Sequence, residues 1–197
     1  MYMYRLLTLI ACAFALSGCV VGYTLVEPKP VPVAKGAMTV QPSIAWNRSP
    51  RNIYDIPKEE NWTQNGPLLD TITFMGALND GEAIAKQRPK DERQVPVFRS
   101  NMTPQDLVSM VESYYRIKAG ATTFETTGVA PSKLLGAKAI EFNFNYIGAD
   151  EVKRRGRSLL AVLDGKLYFI SLEGASVHYF DAALPEFLRI VESARAG

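Results

Sequence analysis

The run RSLLAVLDGKLYFISLE, residues 157–173, constrains the fold of this chain more than any other stretch. Asp164-Gly165 is a two-residue hairpin signal, because the tight turns that join antiparallel strands need positive φ there. The two strands it joins are apolar at odd and even positions alike. Such strands belong in the middle of a sheet that is covered on both faces. A covering element follows directly: Phe180, Leu184, Phe187, Leu188 and Val191 recur at helical spacing on one face, with Pro185 near the helix start and residues 195–197 closing it. The fold class is therefore α+β, an antiparallel β-sheet flanked by helices.

Upstream elements fit the same plan. Ile140, Phe142, Phe144 and Tyr146 alternate with Glu141, Asn143 and Asn145, which predicts a strand with one buried and one wet face. Thr103-Pro104-Gln105-Asp106 opens a helix, with threonine as cap, proline at the first helical position and a carboxylate in the first turn. That helix is expected to run to Lys118, to bury Leu107, Val111, Tyr114 and Tyr115, and to end at Ala119-Gly120. Asn65-Gly66 predicts a second hairpin, followed by a strand in which Ile72 and Phe74 alternate with Thr71 and Thr73. A turn at residues 79–81 leads to a short strand over 82–86, and residues 86–96 form the longest solvated loop. The stretch MTVQPSIAW, in which Met38, Val40, Ile44 and Trp46 alternate around Pro42, reads as an edge strand.

The search for catalytic chemistry finds no motif. His178 is the one histidine, and no second histidine or cysteine stands ready to complete a zinc site. Ser176, His178 and Asp181 have the composition of a triad, but they lie too close in sequence for the usual arrangement and lack a nucleophile elbow. There is no phosphate-binding glycine loop and no calcium loop, so neither cofactor nor metal is expected. Two features remain as candidates for contact. Lys153, Arg154, Arg155 and Arg157 concentrate positive charge, read as a solvated connection between strands that offers itself to an acidic protein or anionic headgroups. Trp46, Trp62, Tyr114 and Tyr115 are candidates for an apolar pocket, the alternative being that they are core.

The amino-terminal end speaks to location. Arg5 followed by an apolar run over residues 6–16 reads as an export signal, too short to span a bilayer. Leu16-Ser17-Gly18-Cys19 resembles the lipobox of bacterial lipoproteins, which implies cleavage before Cys19 and acylation of its thiol and new amino terminus. An ordinary secretory signal with an incidental cysteine is the alternative. Cys12 would leave with the signal, so the remaining thiol could form no internal disulfide, and acylation would consume it. Several acyl chains suffice for stable anchoring. Val20, where aspartate would resemble an inner-membrane retention signal, favours the outer membrane, facing the periplasm. The proline-rich run EPKPVPVAKG over residues 27–36 is expected to be an extended spacer. The division is then 1–18 signal peptide, 19–37 lipidated cysteine and linker, and 38–197 one α+β domain.

The chain is 47% hydrophobic and 21% charged, a globular composition. Taking Arg5 away with the signal leaves a net charge of +1, one less than the +2 of the full chain, which gives no reason to expect nucleic acid as a partner.

The stretch RGRSLLAVLDGKLYFISLEGASVHYFDAALPEFLRIVESA, with NGPLLDTITFMGALNDGEAI upstream, resembles a group of proteobacterial lipoproteins. The order of elements is similar to the PsbP-like fold, found in extrinsic photosystem II proteins and in a small Ran-binding protein. That resemblance covers most of residues 38–197 and carries no catalytic motif. It implies a sheet flanked by helices used for binding or assembly, and fold analogy alone does not establish function. The expectation is a lipid-anchored envelope lipoprotein that works as a non-catalytic binding or assembly module for an envelope protein or anionic partner. A carrier of lipid or another hydrophobic ligand, in a pocket between sheet and helix, is the second reading.

Overall fold

The two strands joined at Asp164-Gly165 lie in the middle of the large sheet, and their exposed turn has φ of 50° and 71° at its two residues. The computed structural model describes residues 22–87 and 94–197. In chain order the elements are β1 (Thr24–Val26), β2 (Val31–Val33), β3 (Met38–Val40), β4 (Trp46–Arg48), β5 (Glu59–Thr63), β6 (Asp70–Leu78), α1 (Pro104–Lys118), β7 (Thr123–Leu134), β8 (Ala137–Ile147), β9 (Lys153–Leu163), β10 (Lys166–Ala175), α2 (Tyr179–Ser193) and β11 (Arg195–Ala196). Eight strands form one antiparallel sheet in the order β1-β4-β5-β6-β10-β9-β8-β7, and β11-β3-β2 form a second, three-stranded sheet.

The two faces of the large sheet hold two cores. On one, Ile72, Phe74, Leu159, Ala161, Ile170 and Leu172 meet Phe180, Ala183, Phe187 and Ile190 of α2. On the other, Met75, Phe142, Phe144, Leu160, Leu167 and Phe169 meet Leu107, Met110, Val111, Tyr114 and Tyr115 of α1. Helix α1 starts as expected: Thr103 Oγ1 accepts from the Asp106 backbone N–H at 3.2 Å, and the Asp106 carboxylate accepts from the Thr103 backbone N–H at 2.8 Å. This reciprocal pair satisfies two donors that a helix start leaves open.

Helix α2 sits at a different rotation from the one its apolar spacing suggests. Leu188 is exposed, and Glu186 is buried instead. The inward carboxylate has partners: the Ser43 backbone N–H donates to Glu186 at 2.5 Å, the Ser43 hydroxyl donates to its other oxygen, and Arg189 donates at 3.1 Å. A buried carboxylate that is so paired escapes most of the burial penalty.

The amino-terminal segments depart most from expectation. The stretch read as one edge strand is broken at Pro42 into β3 and β4, which belong to different sheets, and Ile44 between them is exposed. The expected spacer at 27–36 is packed. Val31 and Val33 pair with Val40 and Met38, Val33 is buried, and Ala34 and Lys35 adopt positive φ to turn the chain into β3. Prolines are tolerated here because β2 is the outer strand of its sheet, where the missing N–H of Pro32 breaks no ladder. The turn rests on Gly76, where a Cβ would stand 2.6 Å from that of Ala37. Strand β1 joins the large sheet by pairing with β4, so the folded domain begins well before residue 38. The expected strand over 82–86 is reduced to a single bridge, Ala83 to Val97. Strand β7 is an outer strand that the sequence reading left unassigned; its mostly exposed residues give no apolar alternation. Residues 1–21, with Cys19 and the export signal, and 88–93 of the long loop lie outside the described residues.

Candidate functional site

Followed along its strands, the sheet face under α1 changes character. Strand β10 presents Leu167 and Phe169 to the helix, then Ser171 and Glu173; β6 presents Met75, then Thr73 and Thr71; β9 presents Leu160, then Ser158, Gly156 and Arg154. Helix α1 covers the apolar half and stops at Lys118. The polar half forms the floor of an open cleft of about 470 Å³, whose lining includes Glu59, Asn61, Thr71, Thr73, Tyr114, Tyr115, Lys118, Tyr146, Arg154 and Glu173. The glycine in this floor is required: a Cβ on Gly156 would fall 1.9 Å from Cζ of Phe144, whose ring lies across it.

Hydrogen bonds fix the walls. Tyr114 donates to Glu59 at 2.9 Å, and Asn61 Nδ2 donates to the same oxygen at 3.1 Å. Thr73 then donates to Asn61 Oδ1 at 2.7 Å. The Tyr115 and Ser171 hydroxyls are 2.8 Å apart, and Ser158 continues the chain at 2.8 Å. Lys118 Nζ lies 3.0 Å from Glu59 Oε1 and also pairs with Asp55. At the other side Arg154 makes a two-pronged pair with Asp150 at 2.7 and 2.8 Å and donates to the Leu68 carbonyl at 2.9 Å.

Tyr146 donates to Glu173, which has no cation in direct contact among the described residues. Burial disfavours its charged form and pushes its pKa up to about 7, against the opposing pull of the Tyr146 hydrogen bond and of Arg154. Asp150 goes the other way: the Arg154 guanidinium holds it down to about 2. Burial raises the phenols of Tyr114, Tyr115 and Tyr146, so all three serve as neutral donors. The cleft therefore offers hydroxyl and amide donors and acceptors, two paired cations and one carboxyl group that changes state near neutrality.

The pocket residues read from the sequence divide. Tyr114 and Tyr115 line the cleft, and their hydroxyls are bonded to Glu59 and Ser171. Trp46 and Trp62 are fully buried on the opposite face, among the α2 core, with Trp62 edge-on to Phe74. The apolar space between α1 and the sheet, bounded by Met75, Met110, Tyr114 and Phe169, holds only about 10 Å³, room for one water molecule at most.

The basic run is likewise relocated. It belongs to β9 itself, so its residues alternate between faces. Arg154 is buried in the cleft wall. Arg155 pairs with Asp181 at 2.8 Å and lies over the Phe180 ring, and Arg157 reaches Glu141 at 2.9 Å. Lys153 is exposed at the strand start. His178 is exposed at the N-cap of α2, outside the cleft lining, and Asp181 is engaged by Arg155. Among the described residues no group of three or more His, Cys, Asp or Glu side chains is placed to hold a metal ion.

The sequence reading missed Glu59, Asn61, Ser171 and Glu173. Its signal was present in β10: in a strand buried on both faces, Ser171 and Glu173 are polar residues at the same parity as Leu167 and Phe169.

No family model matches the chain, and no curated relative is found by sequence. Solved structures do match. CyanoP, the cyanobacterial PsbP of Synechocystis sp. PCC 6803, superposes with a TM-score of 0.55 at 11% identity, over 93% of this chain and 99% of that one. Mog1p, a Ran-binding protein of Saccharomyces cerevisiae, superposes with a TM-score of 0.52 at 9% identity, over 89% of this chain and 95% of that one. At such identities the likeness speaks for architecture alone, and the architecture of this chain is PsbP-like.

Proposed function

We propose that this chain is a lipoprotein of the cell envelope, anchored through acyl chains on Cys19, whose domain is a non-catalytic binding module with the polar cleft as its binding surface. The observation that carries the proposal is the half of the sheet face that α1 leaves uncovered: its side chains are polar, mutually hydrogen-bonded and preorganised. The Ran-binding role of Mog1p supports a binding use of this architecture by analogy. A hydrophobic carrier needs an apolar cavity of several hundred Å³, and the space between helix and sheet is far below that. The lipobox-like Leu16-Ser17-Gly18-Cys19 supports the anchor, and Val20 supports the outer membrane, facing the periplasm.

Metabolic labelling with a palmitate analogue tests the anchor. Wild-type chain should carry label, and Cys19→Ala should carry none and appear in the soluble fraction or keep its signal. Equal labelling of both chains would refute it. Crosslinking in intact envelopes from a photoreactive residue at Thr71, compared with one at Asp164 on the remote hairpin, tests the cleft. Products unique to position 71 are expected; identical products at both positions would remove the cleft from the proposal.

A further inference from the structure

We propose that the mouth of the cleft is a membrane-docking face, seated on the same bilayer that holds Cys19. The inference rests on the anchoring proposed above and adds an orientation to it. Its first support is the length of chain between the anchor and the fold. With residues 19–37 as an extended linker, the domain would stand about 55 Å off the bilayer at 3.1 Å per residue. Instead β1 begins at Thr24, and Tyr23 already lines the cleft. From Cys19 to Tyr23 there are four peptide steps, which span at most about 14 Å. A folded partner of 100 residues is more than about 25 Å across, so the bilayer itself is what this edge of the cleft meets.

The second support is what the rim exposes. Tyr23 and Leu68 line the cleft yet remain 49% and 68% exposed. Leu25, 64% exposed, pairs with Asn47 and through it with Thr63, so it lies on the same sheet face as the cleft. Ile53, 75% exposed, sits between Asn52 and Tyr54, both of which line the cleft. Large apolar side chains gathered around one site and left in water mark a contact surface. A tyrosine with aliphatic neighbours suits the membrane interface, where one end of the ring is apolar and the other wet. The paired state of Arg154 and Lys118 and the small net charge leave apolar penetration as the main contact, so docking should depend little on salt.

The test uses the full chain bearing a genetically encoded environment-sensitive fluorophore at position 68 or at position 164. Strand β9 alone runs 11 residues, about 35 Å, between the two ends of the sheet. Chain purified from cells is reconstituted into vesicles of phosphatidylethanolamine and phosphatidylglycerol containing headgroup spin-labelled lipid. A second sample, the chain from Cys19 onward made without acylation so that Cys19 is its one thiol, is attached chemically through that thiol to a maleimide lipid in the same vesicles. Quenching at position 68 should exceed that at 164 by about fivefold in both samples and persist in 0.5 M salt. Replacing Leu25 and Ile53 together by Asp should reduce the difference at least twofold in both. Equal quenching at 68 and 164 in the maleimide sample would overturn the docking face. Failure of the cell-derived chain to float with vesicles, while the maleimide sample keeps its difference, would refute acylation alone and leave the docking face standing.

Discussion

Replacing Glu173 by Gln should convert a pH-sensitive fold into one less so. Burial raises this carboxyl from its ordinary 4.5 to about 7 in the folded chain. The groups facing it are Tyr146, which donates to it, Arg154, Asp150 and Tyr115. Because the folded chain holds the proton more tightly than the unfolded chain, acid favours folding at this site. The contribution is complete below about pH 4.5, declines between 4.5 and 7, and is gone above 7. Two and a half pH units at about 1.4 kcal/mol each set a ceiling of about 3.5 kcal/mol, and water entering the open cleft lowers the expected value to about 2 kcal/mol. The assay is urea denaturation of wild type and Glu173→Gln at half-unit steps from pH 4.5 to 8.5. Taking the difference cancels the titration of the other carboxylates. The glutamine variant should gain on wild type by about 2 kcal/mol across this window. A difference that stays flat with pH, or one that moves in favour of wild type as pH rises, would refute a raised carboxyl at Glu173.

Other expectations follow from burial and pairing. Phe187→Ala should cost about 3–5 kcal/mol by removing a fully buried ring from the core under α2, and an unchanged thermal midpoint would show that this helix is not docked there. Arg154→Ser should cost about 2–3 kcal/mol by leaving Asp150 and the Leu68 carbonyl without their donor, whereas Lys153→Ser should stay within about 0.5 kcal/mol; equal effects in chemical denaturation would contradict the placement of this run in β9. Gly156→Ala should cost about 1–3 kcal/mol because Phe144 must leave its place against Tyr115 and Phe124, and a shift in tyrosine fluorescence should accompany it.

The parts of this fold that could be read in the sequence are those where local rules and tertiary packing agree. The central hairpin needed both a turn with positive φ and strands apolar on both sides, and LLAVLDGKLYFISL states both at once. Thr103 and Asp106 announce the start of α1 because a cap is a local object, made by residues three apart. Where tertiary partners decide, the sequence misleads. Glu186 looks like a surface residue until Ser43, far away in the chain, supplies its donors, and that pairing rotates α2 so that Leu188 faces water. Pro28, Pro30 and Pro32 look like a spacer because nothing nearby shows that β3 will offer an edge to residues 31–33. The cleft was half visible. Tyr114 and Tyr115 stand out in the sequence as helical aromatics, but their hydroxyl partners Glu59 and Ser171 are more than fifty residues away.

The small sheet has a consequence for the order in which the chain can fold. Strand β3 is held between β2, its near neighbour, and β11, which is among the last residues of the chain; the Gln41 amide likewise donates to Ser193, 152 residues on. Closing so long a loop is entropically expensive and slow, and contacts of this kind form late. Strand β3 therefore keeps one unpaired edge until residues 195–196 reach it. The clasp is thus a long-range latch: a chain without residues 195–196 keeps every residue of the central hairpin yet loses the strand that closes the free edge of β3.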